Sequence, residues 1–176
     1  MMIVEDIRSI VRDEMDKYFK EKKDEKTVDD DEIFLLSSEE YNKYKSNIPL
    51  INAWWWLRSP DNSSDYSDLV AFVCEDGSAF NYGSRVSRSN GTVRPAIRLT
   101  NHEPLGVGAK YRDCVYHVGD RFIKYNFPWI VIDDNLAIAE VPIAFRRFDK
   151  ESTDYGHSEI RRFLLDWKEN RECVVR

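Results

Sequence analysis

Hydrophobic positions follow two rhythms along this chain. Over residues 2–20, Ile3, Val4, Ile7, Ile10, Val11, Met15, Tyr18 and Phe19 recur every three or four positions with acids between them. That spacing predicts an amphipathic helix. Its stripe needs a partner: other copies of itself, as a short self-associating stalk, or the body of the protein. The stalk is the reading adopted. The stretch KEKKDEKTVDDDE (20–32) is nearly all charge and reads as a solvated linker.

From Ile33 onward the runs shorten to strand length. Ile33–Leu36 is a short apolar strand, followed by Ser37 or Ser38 as a helix cap with Glu39 and Glu40 in the first turn. Leu69–Cys74 and Ser78–Tyr82 flank Asp76-Gly77, a strong hairpin signal. Residues 93–99, VRPAIRL, alternate as a strand, and Pro95 requires an edge or a bulge there. Asn101, Pro104, Gly106 and Gly108 break any pattern over 100–117, which reads as a connector. Phe127–Asp133 and Leu136–Glu140 predict a hairpin around Asp134-Asn135. Residues 157–170 predict a helix capped by Ser158, with Ile160, Phe163, Leu164 and Trp167 on its apolar face. The sum is an α+β domain of short antiparallel strands and two helices over 31–176, behind an N-terminal helix and linker over 1–30.

The run AWWWLRSP holds Trp54, Trp55 and Trp56 side by side. In a strand, neighbouring side chains point to opposite faces, so three consecutive rings cannot form one stacking surface. The run is therefore expected to hold a corner of the core, with Trp55 and Trp56 as structural residues and Trp129 in the later hairpin beside them. Arg58 and Arg94 sit among apolar residues. A buried guanidinium is costly unless bonded, so both are expected to bind carboxylates or loop carbonyls and tie this corner to the 93–99 strand.

Composition narrows the function. The net charge of −6 argues against a nucleic-acid surface. Cys74, Cys114 and Cys173 lie far apart with no CxxC pair, which suggests neither a disulfide framework nor a zinc ribbon. His102, His117 and His157 fall in no metal-ligand spacing, and no GxSxG, HExxH or phosphate-cradling glycine loop occurs. The expectation is a non-enzymatic protein without metal or cofactor. The acidic N-terminus does not resemble a signal peptide, and no apolar run reaches membrane-spanning length, so synthesis in the cytoplasm is expected.

Two polar loops, 61–68 and 81–90, are made of Asn, Ser, Asp, Tyr, Gly and Arg. These residue types make adaptable contacts in binding surfaces. Tyr66, Asn81, Tyr82, Arg85, Arg88 and Asn90 are the candidate ligand contacts. Asp61, Asp65 and Asp68 match no calcium-loop spacing.

The run IFLLSSEEYNKY, then WWLRSP, a strand-turn-strand containing DGS, and NGTVRPAIRL resembles a bacterial and phage domain of unknown function with WWLRSP and GVRPAL hallmarks. The resemblance implies a C-type-lectin-like fold, related to the formylglycine-generating-enzyme fold and to the variable proteins of diversity-generating retroelements. Segments similar to that family's FGxYxWxVLD, ALLLS and TLRxYLN precede WWLRSP there. Here YNFPWIVID (125–133), LAIAE (136–140) and SEIRRFL (158–164) follow it. The chain thus looks circularly permuted: a WWLRSP/VRPA half over 31–99, a connector over 100–117 and a permuted half over 118–176. Completion of a neighbouring protomer by exchange is the other geometry. The resemblance implies a ligand- or receptor-binding display module on a phage virion appendage, such as a head fibre or tail-tip protein. Its partners would be a host-surface glycan or protein, other virion proteins, and further copies through the N-terminal helix. A purely structural virion protein and an enzyme of the formylglycine-generating group are the alternatives.

Overall fold

The computed structural model describes residues 31–61, 67–100, 102–103, 112–113 and 115–172. The expected N-terminal helix and linker, Tyr66, Cys114 and Cys173 lie outside the described residues. Of two units, Met1–Asp31 and Glu32–Arg176, the second carries the sheets.

The first sheet orders five strands as β1 (Ile33–Phe34), β6 (Ala96–Arg98), β11 (Leu136–Ala139), β10 (Phe127–Asp133) and β9 (Arg121–Lys124), with every neighbour antiparallel. The second orders β12 (Ala144–Phe145), β5 (Thr92–Val93), β2 (Trp55–Pro60), β3 (Leu69–Val73) and β4 (Ala79–Arg85). Its β2–β5 pair is parallel and the other pairs are antiparallel. Both sheets therefore take strands from both halves of the chain. With α1 (Ser38–Tyr44) and α2 (Glu159–Glu172), the unit is α+β and mostly strand.

Two sequence expectations change here. The stretch 93–99 is not one strand: β5 belongs to the second sheet and β6 to the first. Pro95 sits between them, where the chain leaves one ladder for the other and no ladder donor is required. The connector is not wholly irregular, because β7 (His102–Glu103) pairs with β8 (Arg112–Asp113) as a two-residue ladder.

Local chemistry fixes the elements around the site. Ser37 caps α1 through a capping box: its hydroxyl accepts from the Glu40 amide at 3.1 Å, and the Glu40 carboxylate accepts from the Ser37 amide at 2.7 Å. The buried face of this helix is Tyr41, set edge-on to Trp55 with ring centres 5.5 Å apart. The Tyr41 hydroxyl donates to the Gly77 carbonyl at 2.7 Å, tying α1 to the β3–β4 turn. Gly77 has φ +80°, a backbone conformation that a Cβ opposes.

α2 buries Ile160 and Leu164 and lies against β1. Its Lys168 binds Glu32 at 2.6 Å, where Lys124 at 3.2 Å and the Tyr125 hydroxyl converge as well. Half-burial alone would raise the Glu32 carboxyl. The bonds from Lys168 and Tyr125 and the charges of Lys124 and Lys168 outweigh it and hold the group at about 2.

Candidate functional site

Strand β2 divides its tryptophans among different surroundings. Trp55 is buried on the α1 side with Tyr41 and Arg94. Trp56 is buried on the other, where Phe148 meets its ring at 6.0 Å and the Arg146 carbonyl accepts from its indole N–H at 2.9 Å. Trp54 precedes the strand and stays half-buried. Its ring meets Trp56 at 4.9 Å and Phe72 at 5.3 Å, both close to perpendicular. Phe80 stacks on Phe72 at 5.5 Å with planes 15° apart. The Trp54 carbonyl accepts from both the amide (3.2 Å) and the hydroxyl (2.6 Å) of Thr92, so its backbone is pinned. Gly91 allows the close packing: a Cβ there would lie 2.1 Å from Trp56 Nε1 and 2.7 Å from Trp54 Cη2.

Both arginines of the corner bond to backbone. Arg58 donates to the Leu35 carbonyl at 2.8 Å and pairs with Glu40 at 2.9 Å. Arg94, 1 % exposed, donates to the carbonyls of Ala139 and Pro49, each at 2.9 Å. It thereby links the second sheet to β11 of the first. Burial pulls its guanidinium down to about 10 against the opposing pull of Tyr41 and Glu140. Trp129 is buried in β10 and donates to the Lys124 carbonyl at 2.9 Å. Arg94 Nη2 is buried without a hydrogen-bond partner among the described residues.

Two concavities open on the second sheet. One, about 460 Å³, lies between the start of α1 and the sheet and is lined by Ser38, Glu39, Ser59, Pro60, Asp61, Ala71 and Asn81. Its Asp61 adjoins residues 62–66, which lie outside the described residues. The other, about 420 Å³, is lined by Trp54, Phe72, Cys74, Glu75, Asp76 and Arg88. Its lining thus joins the Trp54–Phe72 ring pair, the acids of the β3–β4 turn and Arg88 of the 86–91 loop. Glu75 and Asp76 are exposed; the Ser78 hydroxyl and amide bond Asp76 Oδ1 at 2.6 and 2.9 Å and hold its carboxyl below the usual range. Arg88 is exposed and donates to Ser84 Oγ at 3.2 Å. The concavity thus brings aromatic rings, two carboxylates and a guanidinium into one lining.

The candidate contacts named from sequence do not converge. Asn81 lines the first concavity and Arg88 the second. Tyr82 is 73 % exposed on β4, Arg85 pairs with Asp68 at 3.1 Å, and Asn90 is exposed in the 86–91 loop. Sequence reasoning missed Trp54, Phe72, Glu75 and Asp76. The hairpin signal at Asp76-Gly77 did place the turn, but nothing local says that Trp54 packs beside it. Among the described residues, no group of three His, Cys, Asp or Glu side chains is placed to hold a metal, and no helix is long and apolar enough to cross a membrane.

Residues 5–101 match the model of a family described as a domain of unknown function, DUF6273. The chain belongs to this family. No curated protein and no solved structure matches it. The DUF6273 match ends just beyond β6 and contains every residue of the Trp54 groove. Strands β9–β12 and α2 lie past its end.

Proposed function

We propose that this DUF6273 protein is a non-catalytic ligand-binding module, and that its binding face is the groove between the β3–β4 turn and the 86–91 loop. One observation carries the reading: among the described residues, an aromatic corner is only partly covered on a sheet whose neighbouring tryptophans are buried. Covering Trp54 and Phe72 with more chain would be favoured by the hydrophobic effect, so a partly covered corner lined with charged groups fits a surface kept for a partner. The groove volume falls in the range of small-ligand sites, roughly 300–1,000 Å³.

The architecture is read as C-type-lectin-like and circularly permuted. The sharing of both sheets by residues 31–99 and 118–172 supports completion of the domain within one chain. In a phage the module would sit on a virion appendage, a head fibre or tail-tip protein, and meet the host surface, with the N-terminal helix gathering copies.

Labelled full-length protein incubated with a panel of bacterial cells, intact or stripped of surface polymers, tests the reading. Binding above an equally charged control, lost on stripping and in a Trp54→Ala variant, is expected. Binding no better than the control across the panel would sink the proposal.

A further inference from the structure

The chemistry of the groove narrows its ligand, on the reading that the groove is the binding face. Three features bear on this. The floor is a corner and not a plate: the Trp54 and Phe72 planes meet at 70°. A flat sugar face wants a flat ring, whereas a rounded apolar cation can rest on whichever ring face such a corner leaves exposed. The second feature is Glu75 and Asp76 in the lining. Among the described residues Glu75 makes no hydrogen bond or ion pair, while Asp76 commits Oδ1 to Ser78. The third is Arg88 in the same lining, whose guanidinium bonds, among the described residues, to the neutral hydroxyl of Ser84. No ion pair joins Arg88 to either acid among the described residues, so the groove keeps its opposite charges apart.

A ligand of one sign would meet a like charge in the groove's own lining. We propose that the groove binds a zwitterion: an alkylated, quaternary-type ammonium in the Trp54–Phe72 corner beside Glu75 and Asp76, joined by a short linker to a phosphate that meets Arg88. The ammonium gains the ring faces and the carboxylates. The phosphate gains charge-assisted bonds from the guanidinium fork. Two acids against one arginine make the cationic end the stronger anchor.

The test is calorimetric titration of the full chain with phosphocholine, choline and inorganic phosphate as separate probes. Phosphocholine coupled to a soluble polymer is a fourth arm that separates a free zwitterion from a polymer-borne one. Phosphocholine is expected to bind at least about tenfold more tightly than choline or phosphate. Arg88→Gln should erase its advantage over choline, and Glu75→Gln its advantage over phosphate, with melting temperatures unchanged because both side chains are exposed. No saturable phosphocholine binding up to about 10 mM, or binding indifferent to both substitutions, overturns the proposal. The two readings fail separately. Cell binding that Trp54→Ala abolishes but phosphocholine does not compete refutes the zwitterion and leaves the groove as the binding face. Cell binding that Trp54→Ala leaves intact refutes the groove as well.

Discussion

Trp54 and Trp56 lie two residues apart and touch, yet they belong to different regions of the molecule. Around Trp56 the sheet is roofed by Phe148, and the indole N–H is satisfied by the Arg146 carbonyl. Trp54 is only partly covered among the described residues, and the rings of Trp54, Phe72 and Phe80 pack on one another at this rim. The sealed region is held by bonds whose loss costs stability. The open region is held by ring contacts and a pinned backbone, so its side chains can change at little cost to the fold. A binding surface needs that separation, because a face whose residues also hold the core cannot vary without unfolding it.

Breaking the sealed side should produce the largest effects. Trp56→Ala leaves a large cavity and an unpaired Arg146 carbonyl, and urea unfolding should register a loss of about 3–5 kcal/mol. A loss below about 1 kcal/mol would mean that Trp56 is not the core residue described here. Gly91→Ala pushes a methyl into both Trp56 and Trp54 and should cost about 3 kcal/mol, with a shift in tryptophan fluorescence. Arg94→Met removes a buried charge but orphans the Pro49 and Ala139 carbonyls. The net expected loss is about 2 kcal/mol, and a gain would place the carbonyls' satisfaction elsewhere.

The pH dependence separates a third locus, the cluster around Glu32. Glu32 is held at about 2 against an ordinary 4.5. A depressed carboxyl stabilises the fold fully above its unfolded value and ceases to do so as pH falls through the folded one. The stability advantage of the natural chain over Glu32→Gln should therefore shrink between about pH 4.5 and pH 2. An advantage constant over that window would deny the Lys168–Tyr125–Lys124 cluster its role.

Much of this was legible where signals are local. The Ser37 capping box, the Asp76-Gly77 hairpin, the 127–139 hairpin and the Ser158-led helix each rest on residues within a few positions of one another. The division of 93–99 was not legible, because alternation runs unbroken through Pro95 while the two ends join different sheets. Strand β9 is four residues long and gains its place from β10 through a turn in which Tyr125 and Asn126 both have positive φ. Parity correctly separated Trp55 from Trp56, but it could not say where the roof over that face stops. That limit bears on the candidate groove: of the six residues that the polar loops offer, Arg88 lines it, while no local signal singles out Trp54.

The most direct measurement pairs stability with binding for Trp54→Ala. If the rim is a binding surface, the variant should lose no more than about 2 kcal/mol, short of the Trp56→Ala loss, and lose its binding to cells or to phosphocholine. If it unfolds as badly as Trp56→Ala, or keeps its stability and binds unchanged, then Trp54 is core or bystander and the division drawn here is wrong.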